Sequence, residues 1–426
     1  MSTGDGLLMR LVPSAPIPLD AVIALCDASR THGNGIVEVT QRGSLQIRGL
    51  SPTTAPTFAR TVTGLGLGAV GGPPILTSPL LGLDSREHVD LHALVAALRT
   101  ELTGHAHIAS ISPKVSVLID GGGTLHLDDL AADLRLRASS STRFHMSIAG
   151  NAAASTSLGW VEPHQAVKVI VHILAAIARR GTAARARDFA SDADVRALRA
   201  SFADVLDDGP PPPPRLPAES IGTHQLKNGQ VARGVALAFG YVDADTLKRF
   251  ALAAARCGAS SIRPAPGRAL LAIGLSVTAA EELAAVARAE GFVVRTDDPR
   301  RYIVACAGAP ACGSAALATR KLAPDIARLA TQFLDGSVTI HVSGCPKGCA
   351  HPGAATLTLA GPDRLVVQGR ASDTPHGTIS PANFIAGLRR LRAERELPLA
   401  ALVRETDFIS RLGAIPTVKP MEGESE

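Results

Sequence analysis

The chain repeats itself, and the repeat limits what it can fold into. Gly49-Leu-Ser51 recurs as Gly274-Leu-Ser276, an offset of 225 residues, and comparable elements precede each copy. In the first, an apolar strand from Gly6 to Val12 leads through a proline turn to a helix from about Asp20. A small turn at Gly33-Asn-Gly35 and a strand from Ile36 to Leu50 follow. The second copy runs from a strand at Gly234 to Phe239 through a helix at Ala244 to Cys257, then to a strand over Ala269 to Leu275. A further helix follows each, at Thr54 to Thr63 and at Ala279 to Glu290. This βαβ-like order with a second helix predicts an α+β protein built on a pseudo-two-fold pair of small units.

The run Asp207-Asp-Gly-Pro210-Pro-Pro-Pro-Pro214-Arg-Leu-Pro217 divides the halves. Five consecutive prolines continue neither a helix nor a ladder, so they form a stiff extended connector. Each repeat precedes a second region, Leu91 to Leu206 and Arg301 to about Leu397. The expected division is residues 1–90 and 218–300 as ferredoxin-like half-domains and 91–206 and 301–400 as larger α/β domains. Residues 207–217 are then the linker and 401–426 a C-terminal tail, a count that 426 residues allow at about 150 per domain.

Four cysteines lie near the C-terminal end, as Cys306-x5-Cys312 and Cys345-x3-Cys349. They can supply the four thiolates of a [4Fe-4S] cluster. The second pair lies in Thr339-Ile-His-Val-Ser-Gly-Cys345-Pro-Lys-Gly-Cys349, a β-branched strand entering a turn where Gly344, Pro346 and Gly348 let backbone amides approach sulfur. Zinc is the main metal alternative, but structural zinc takes pairs two to four residues apart and the x5 gap is too wide. Buried structural thiols are the third reading. Cys26 and Cys257 fall in the predicted helices and read as buried apolar thiols. Six cysteines behind Met1-Ser-Thr-Gly-Asp-Gly, which has no secretory pattern, predict a reducing, cytoplasmic setting.

Composition removes other classes. One Trp, two Tyr and ten Phe argue against a base-stacking nucleic-acid surface. The net charge of +5 is mild, and the groups Arg179, Arg180, Arg185, Arg187 and Arg389, Arg390, Arg392, Arg395 read as solvated helix surface. The apolar run Val169 to Ala178 is far short of the roughly 20 residues a membrane span needs. Gly64-Leu-Gly66-Leu-Gly68 follows a helix rather than a strand, so it is no dinucleotide loop. Without a nicotinamide or flavin motif, electrons are expected from an external donor.

The strand Glu38 to Arg48 places Thr40, Arg42, Gln46 and Arg48 on one side and Val39, Leu45 and Ile47 on the other. Guanidinium groups on a rigid strand suit carboxylates, which they bind at two points; a half-wet antiparallel strand looks the same. Lys114 stands among apolar neighbours in the strand Ser112 to Asp120, as a substrate anchor or an edge lysine. His105, His107, His126 and His351, with Asp120 and Asp128, could join an iron site, though none has compact ligand spacing.

The cysteine pattern, Thr40-x-Arg42-x3-Gln46 and the duplication together resemble the nitrite/sulfite reductase superfamily over nearly the whole chain. The resemblance implies two ferredoxin-like half-domains and two α/β domains around a tetrapyrrole. It makes Cys306, Cys312, Cys345 and Cys349 cluster ligands and turns Arg42 and Lys114 toward the macrocycle as catalytic groups. This chain departs from the reductases at Ser116, where they usually carry a second lysine, and at Pro73-Pro-Ile-Leu-Thr-Ser78, where they tend to carry Arg-Asn. The turn Cys345-Pro-Lys-Gly-Cys349-Ala-His351-Pro and Ser78-Pro-Leu-Leu-Gly-Leu-Asp84 resemble instead the oxygen-dependent, corrin-building branch. That likeness implies O2-dependent hydroxylation of the substrate precorrin-3A with lactone formation, in aerobic cobalamin biosynthesis. Arg42, Gln46, Arg48, Lys114 and Lys347 would bind the substrate, the cluster would relay electrons, and a mononuclear non-haem iron of unknown ligands would act on O2. The alternatives are a sirohaem-dependent sulfite or nitrite reductase and a non-enzymatic tetrapyrrole carrier.

Overall fold

Apolar strands broken by glycine turns, alternating with helices, build four sheets. The computed structural model describes residues 2–68, 71–105, 111–112, 114–189, 191–394 and 398–417, so His107 and Arg395 lie outside the described residues, as do 418–426. The first half contributes β1 (Ser2–Thr3), β2 (Gly6–Leu11), β3 (Ile17–Pro18), α1 (Leu19–His32), β4 (Ile36–Val39), β5 (Leu45–Leu50) and α2 (Ala55–Gly64). It continues with β6 (Ile75–Thr77), α3 (His92–Gly104), β7 (Val117–Asp120), β8 (Ala132–Ala138), β9 (Phe144–Gly150), β10 (Thr156–Val161), α4 (Pro163–Arg179) and α5 (Asp192–Ala200). The second half begins β11 (Gly222–Gln225), β12 (Val231–Ala236), β13 (Tyr241–Asp243), α6 (Ala244–Arg256), β14 (Ser261–Ala265), β15 (Ala269–Leu275) and α7 (Val277–Ala289). It ends β16 (Ile303–Ala305), α8 (Thr319–Ala330), β17 (Ile340–Ser343), β18 (Ala355–Ala360), β19 (Arg364–Gly369), β20 (Gly377–Thr378), α9 (Pro381–Glu394), α10 (Leu399–Leu402), α11 (Phe408–Leu412) and β21 (Ile415–Pro416).

Local chemistry sets the helix ends. Asp20 sits in the first turn of α1 and Arg30 and His32 in its last, opposing the helix dipole. Ser276 caps α7 by accepting from Ala279 N at 3.1 Å.

The repeated units form the sheets β1-β2-β5-β4-β13 and β11-β12-β15-β14-β3. Each ends in a strand from the other half: Ile17 pairs with Ile262, and Val242 with Val37. The exchange joins the two units into one core, in which Leu25, Ile47 and Phe58 cluster with Phe250, Leu270 and Leu283. The stretch Ile36 to Leu50, expected as one strand, is a hairpin. Gly43 turns it at φ +76°, and Arg268, 225 positions on, turns the matching hairpin of β14 and β15 at φ +61°. Alternation runs through both arms, so the sequence pattern hid the turn.

The regions after the repeat are also duplicated. Strands β6, β7 and β8 run parallel and β8, β9 and β10 antiparallel; β16 through β20 repeat that order and polarity. Val117 pairs with Leu134 as Ile340 pairs with Leu357, and the loops 121–131 and 344–354 occupy the same place. Because β6 belongs to this sheet, the first α/β unit starts before residue 91. Residues 401–416, expected as a tail, include α11 and β21, which pairs with β20, and Phe408 and Leu412 are buried. Phe408 and Leu412, one helical turn apart, are too brief a stripe to predict a docked helix from the sequence.

Helices cover one face of each α/β sheet. The other face carries buried polar groups: Arg135, Arg137, His145 and Ser147 in the first, His341, Ser343 and Thr358 in the second. No described helix is long and apolar enough to cross a membrane.

Candidate functional site

Cys306 follows β16 directly and Cys345 lies two residues beyond β17. Val304 pairs with His341, so strand alternation sends Cys306 to the helix-free face that His341 shares. The two cysteine loops are tied together: Gly344 N donates to Cys306 Sγ at 3.1 Å and Ala316 N to Gly344 O at 2.8 Å. Only glycine fits there, because a Cβ at 344 would lie 2.5 Å from Ala315 Cβ. Burial pushes the Cys349 thiol up, and Cys345, Cys306 and Cys312 push it further, so four sulfurs share one neighbourhood. All four are free thiols. Converging thiols, one already accepting a backbone amide, suit a [4Fe-4S] cluster. Cys26 is fully buried in the half-domain core, away from this group.

The first half braces the cluster loop. Arg48 is buried; it donates to Asp5 at 3.2 and 3.1 Å and to Ala311 O at 3.0 Å, beside Cys312. Gly4 packs directly on Gly313. Gln46, with its amide nitrogen donating to Glu38 Oε2 at 3.0 Å, accepts from Arg10 at 2.9 and 3.2 Å. Glu38 also pairs with Arg320; burial raises its pKa against the pull of Arg48 and Arg320. Lys347 is exposed and donates to Ser314 Oγ at 3.0 Å, linking the two cysteine loops.

Arg42 occupies the hairpin tip, and its Nη2 donates to Ala131 O in the first α/β unit. Burial, then Arg185, lowers its pKa. Lys114 lies in a turn before β7 rather than within a strand, and its side chain is exposed. Two residues on, Ser116 N donates to Asp133 Oδ2 at 3.0 Å, and Ser116 Oγ is buried without a partner. Arg42 and the segment 114–116 therefore meet one strand start, Ala131 to Asp133.

Two guanidiniums were missed from sequence. Arg263 is buried and Arg268 half-buried, and neither shows an ion pair or a side-chain hydrogen bond among the described residues. Burial brings each down to about 10. Arg268 also holds a left-handed backbone, a strain of about 1–3 kcal/mol that tends to persist at functional positions. The repeat was the available signal: Arg268 stands where the first hairpin has Gly43, one residue past Arg42.

Asp120, His126 and Asp128 are buried with donor atoms within 4.8 Å of one another. Their atoms are already committed. Arg215, from the linker, donates to Asp128 at 3.0 and 2.6 Å and also to Asp120. His126 Nε2 meets Leu216 O at 2.8 Å while its Nδ1 accepts from Asp128 N at 3.3 Å. As arranged, with Arg135 and Arg137 also beside Asp128, this group does not fit a metal dication and instead latches the linker. His351 Nε2 meets Ala354 O at 3.1 Å, and His105 caps α3 far along the chain from the cysteines.

No protein-family model matches the chain. It is 36% identical over 398 residues to a precorrin-3B synthase of Sinorhizobium sp, covering 92% of this chain and 86% of that protein. The chain belongs to the precorrin-3B synthase family. Two reductases are similar to the chain at lower identity. A ferredoxin sulfite reductase of Mycolicibacterium paratuberculosis is 26% identical over 363 residues, covering 76% of this chain and 64% of the reductase. A ferredoxin–nitrite reductase of Synechococcus elongatus is 24% identical over 397 residues, covering 82% and 75%. The NirA protein of Mycobacterium tuberculosis shares the fold: TM-score 0.73 at 20% identity, over 94% of this chain and 84% of that one. The mixed α+β class and superfamily expected from the sequence are thus those of the protein.

Proposed function

We propose that this protein is a precorrin-3B synthase that hydroxylates precorrin-3A with O2 and closes a lactone, in aerobic cobalamin biosynthesis. The observation that carries the reading is the group of four converging thiols, with Arg268, which shows no carboxylate partner among the described residues, close enough to His341 to lower its pKa. A partly desolvated guanidinium without a carboxylate gains from an anionic partner, so an anionic ligand is the natural complement. A macrocycle bearing acetate and propionate groups supplies several carboxylates at once.

In this reading Arg42, Arg263, Arg268 and Lys114 hold substrate carboxylates through charge-assisted hydrogen bonds, which strengthen where the bound macrocycle excludes water. Lys347 joins them from the cluster loop. Gln46 and Arg48 act at one remove: they fix the hairpin that carries Arg42 and the loop that carries Cys312. Cys306, Cys312, Cys345 and Cys349 hold a [4Fe-4S] cluster, which when bound supplies single electrons from an external donor. One atom of O2 enters the substrate and the other leaves as water, which takes two electrons and two protons. Ser116, in place of a second lysine, leaves the pocket poorer in proton donors than delivery to sulfite or nitrite requires.

Anaerobically reconstituted protein given precorrin-3A, a reductant and labelled O2 should yield a lactone carrying one labelled oxygen. Failure to oxygenate, together with stoichiometric acid-extractable sirohaem, would mark a reductase instead. Binding of the macrocycle without turnover under any reductant would mark a carrier.

A further inference from the structure

His341 is fully buried, and neither of its ring nitrogens has a hydrogen-bond partner among the described residues. Such a group in a native interior calls for a ligand or water. It is also placed for one. His341 stands on the helix-free face, on the strand beside Cys306 and four residues before Cys345. A Cβ on Gly348 would lie 3.7 Å from His341 Cε1, so the ring packs beneath the turn that carries Cys349. The His351 ring, 5.6 Å away between centroids and inclined at 66°, closes another side. Neutral or protonated, the imidazole carries at least one N–H to donate. Cluster sulfurs and cysteine thiolates accept hydrogen bonds and donate none.

We propose that His341 donates its ring N–H to a sulfur of the cluster held by the four cysteines and thereby raises its reduction potential. The inference rests on the cluster assignment above. Reduction adds negative charge to the sulfurs, so a fixed donor stabilises the reduced form more than the oxidised one, and hydrogen bonds to sulfur are an established means of setting such potentials.

The test uses anaerobic holoenzyme with full iron and acid-labile sulfide, titrated electrochemically and read by electron paramagnetic resonance. At the wild-type midpoint, His341→Leu should lower the ratio of reduced to oxidised cluster about tenfold, which is 59 mV for a one-electron couple. His341→Gln, which keeps an N–H, should recover much of the loss. Equal midpoints for wild type and a fully loaded His341→Leu overturn the proposal. Where the leucine variant does not load, the wild-type holoenzyme labelled with 15N-histidine decides: its reduced cluster should show a 15N coupling in spin-echo spectra, and no coupling overturns the assignment. A wild-type protein lacking both iron and labile sulfide would sink the cluster reading itself, and His341's role with it.

Discussion

Gly344 is where the two cysteine loops come closest. An alanine Cβ there would lie 2.5 Å from Ala315 Cβ and 3.3 Å from Gly308 Cα. Non-bonded carbons settle at about 3.5–4.0 Å, so the loops would have to part by roughly 1 Å. Gly344 is not in the left-handed region, so alanine adds no φ strain and the contact alone is tested. Ala315 has no rotamer by which to withdraw. Overpacking of this kind costs about 1–3 kcal/mol. It also draws Gly344 N away from Cys306 Sγ, now 3.1 Å off, and carries Cys345 with it. Iron and acid-labile sulfide per chain, after anaerobic reconstitution, should fall severalfold in Gly344→Ala, with a lower denaturation midpoint. Ala315→Gly removes the facing methyl, so the double variant should regain loading, and the two sites should couple by about 0.5–3 kcal/mol. A fully loaded Gly344→Ala protein, or a double variant no better than the single, would refute the steric account.

Arg215→Ala leaves Asp120 and Asp128, with side chains 0% and 8% exposed, without their guanidinium and should destabilise by about 3–5 kcal/mol. Limited proteolysis should then open the linker near 207–217; an unchanged digest would contradict the latch. Burial pushes Asp128 up, but the Arg215 hydrogen bond and charge outweigh it and hold its pKa down, so this stabilisation is present above the usual carboxylate range and lost as pH falls through the lowered value. In the variant, acid unfolding should begin at higher pH. Burial, then Arg137, brings His145 down to about 4, so its contribution is full above about 6.5 and lost on acidification toward 4, by about 3 kcal/mol at 1.4 per unit. Denaturation at pH 7.5 and 4.5 should show the slope, and His145→Gln should flatten it. Burial pushes the Cys26 thiol up to about 12, so iodoacetamide at pH 8 should label cluster-free protein at Cys345 and Cys349 while sparing Cys26 until it unfolds; mass spectrometry reads the difference. Arg268→Met removes a half-buried cation with no ion-pair partner among the described residues and a charge-assisted contact of about 1.5–3 kcal/mol to the substrate. It should leave stability equal or higher while tetrapyrrole affinity, read by fluorescence titration, falls at least tenfold; unchanged affinity would remove Arg268 from the site.

Much of the architecture was legible because repetition survives in local pattern. The offset of Gly49 and Gly274 marks the same left-handed turn in both halves, at φ +71° and +96°. The hairpin at Gly43 was not legible, since apolar alternation continues on both sides of the turn. The exchange of β3 and β13 was hidden for another reason: edge strands of two and three residues carry no periodic signal. At the site, Cys306, Cys312, Cys345 and Cys349 stood out by spacing. Arg48 looked like Arg42 in sequence, yet one is buried on Asp5 and the other reaches Ala131.

By itself the sequence determined the duplication, the class of fold and the presence of four thiols in one half only, because periodicity, glycine turns and residue chemistry are local properties. Tertiary structure alone decided which charges are satisfied. It spends Arg48 and Arg215 on carboxylates and leaves Arg263, Arg268 and the His341 ring without partners among the described residues, since burial and pairing depend on strands brought together from distant parts of the chain.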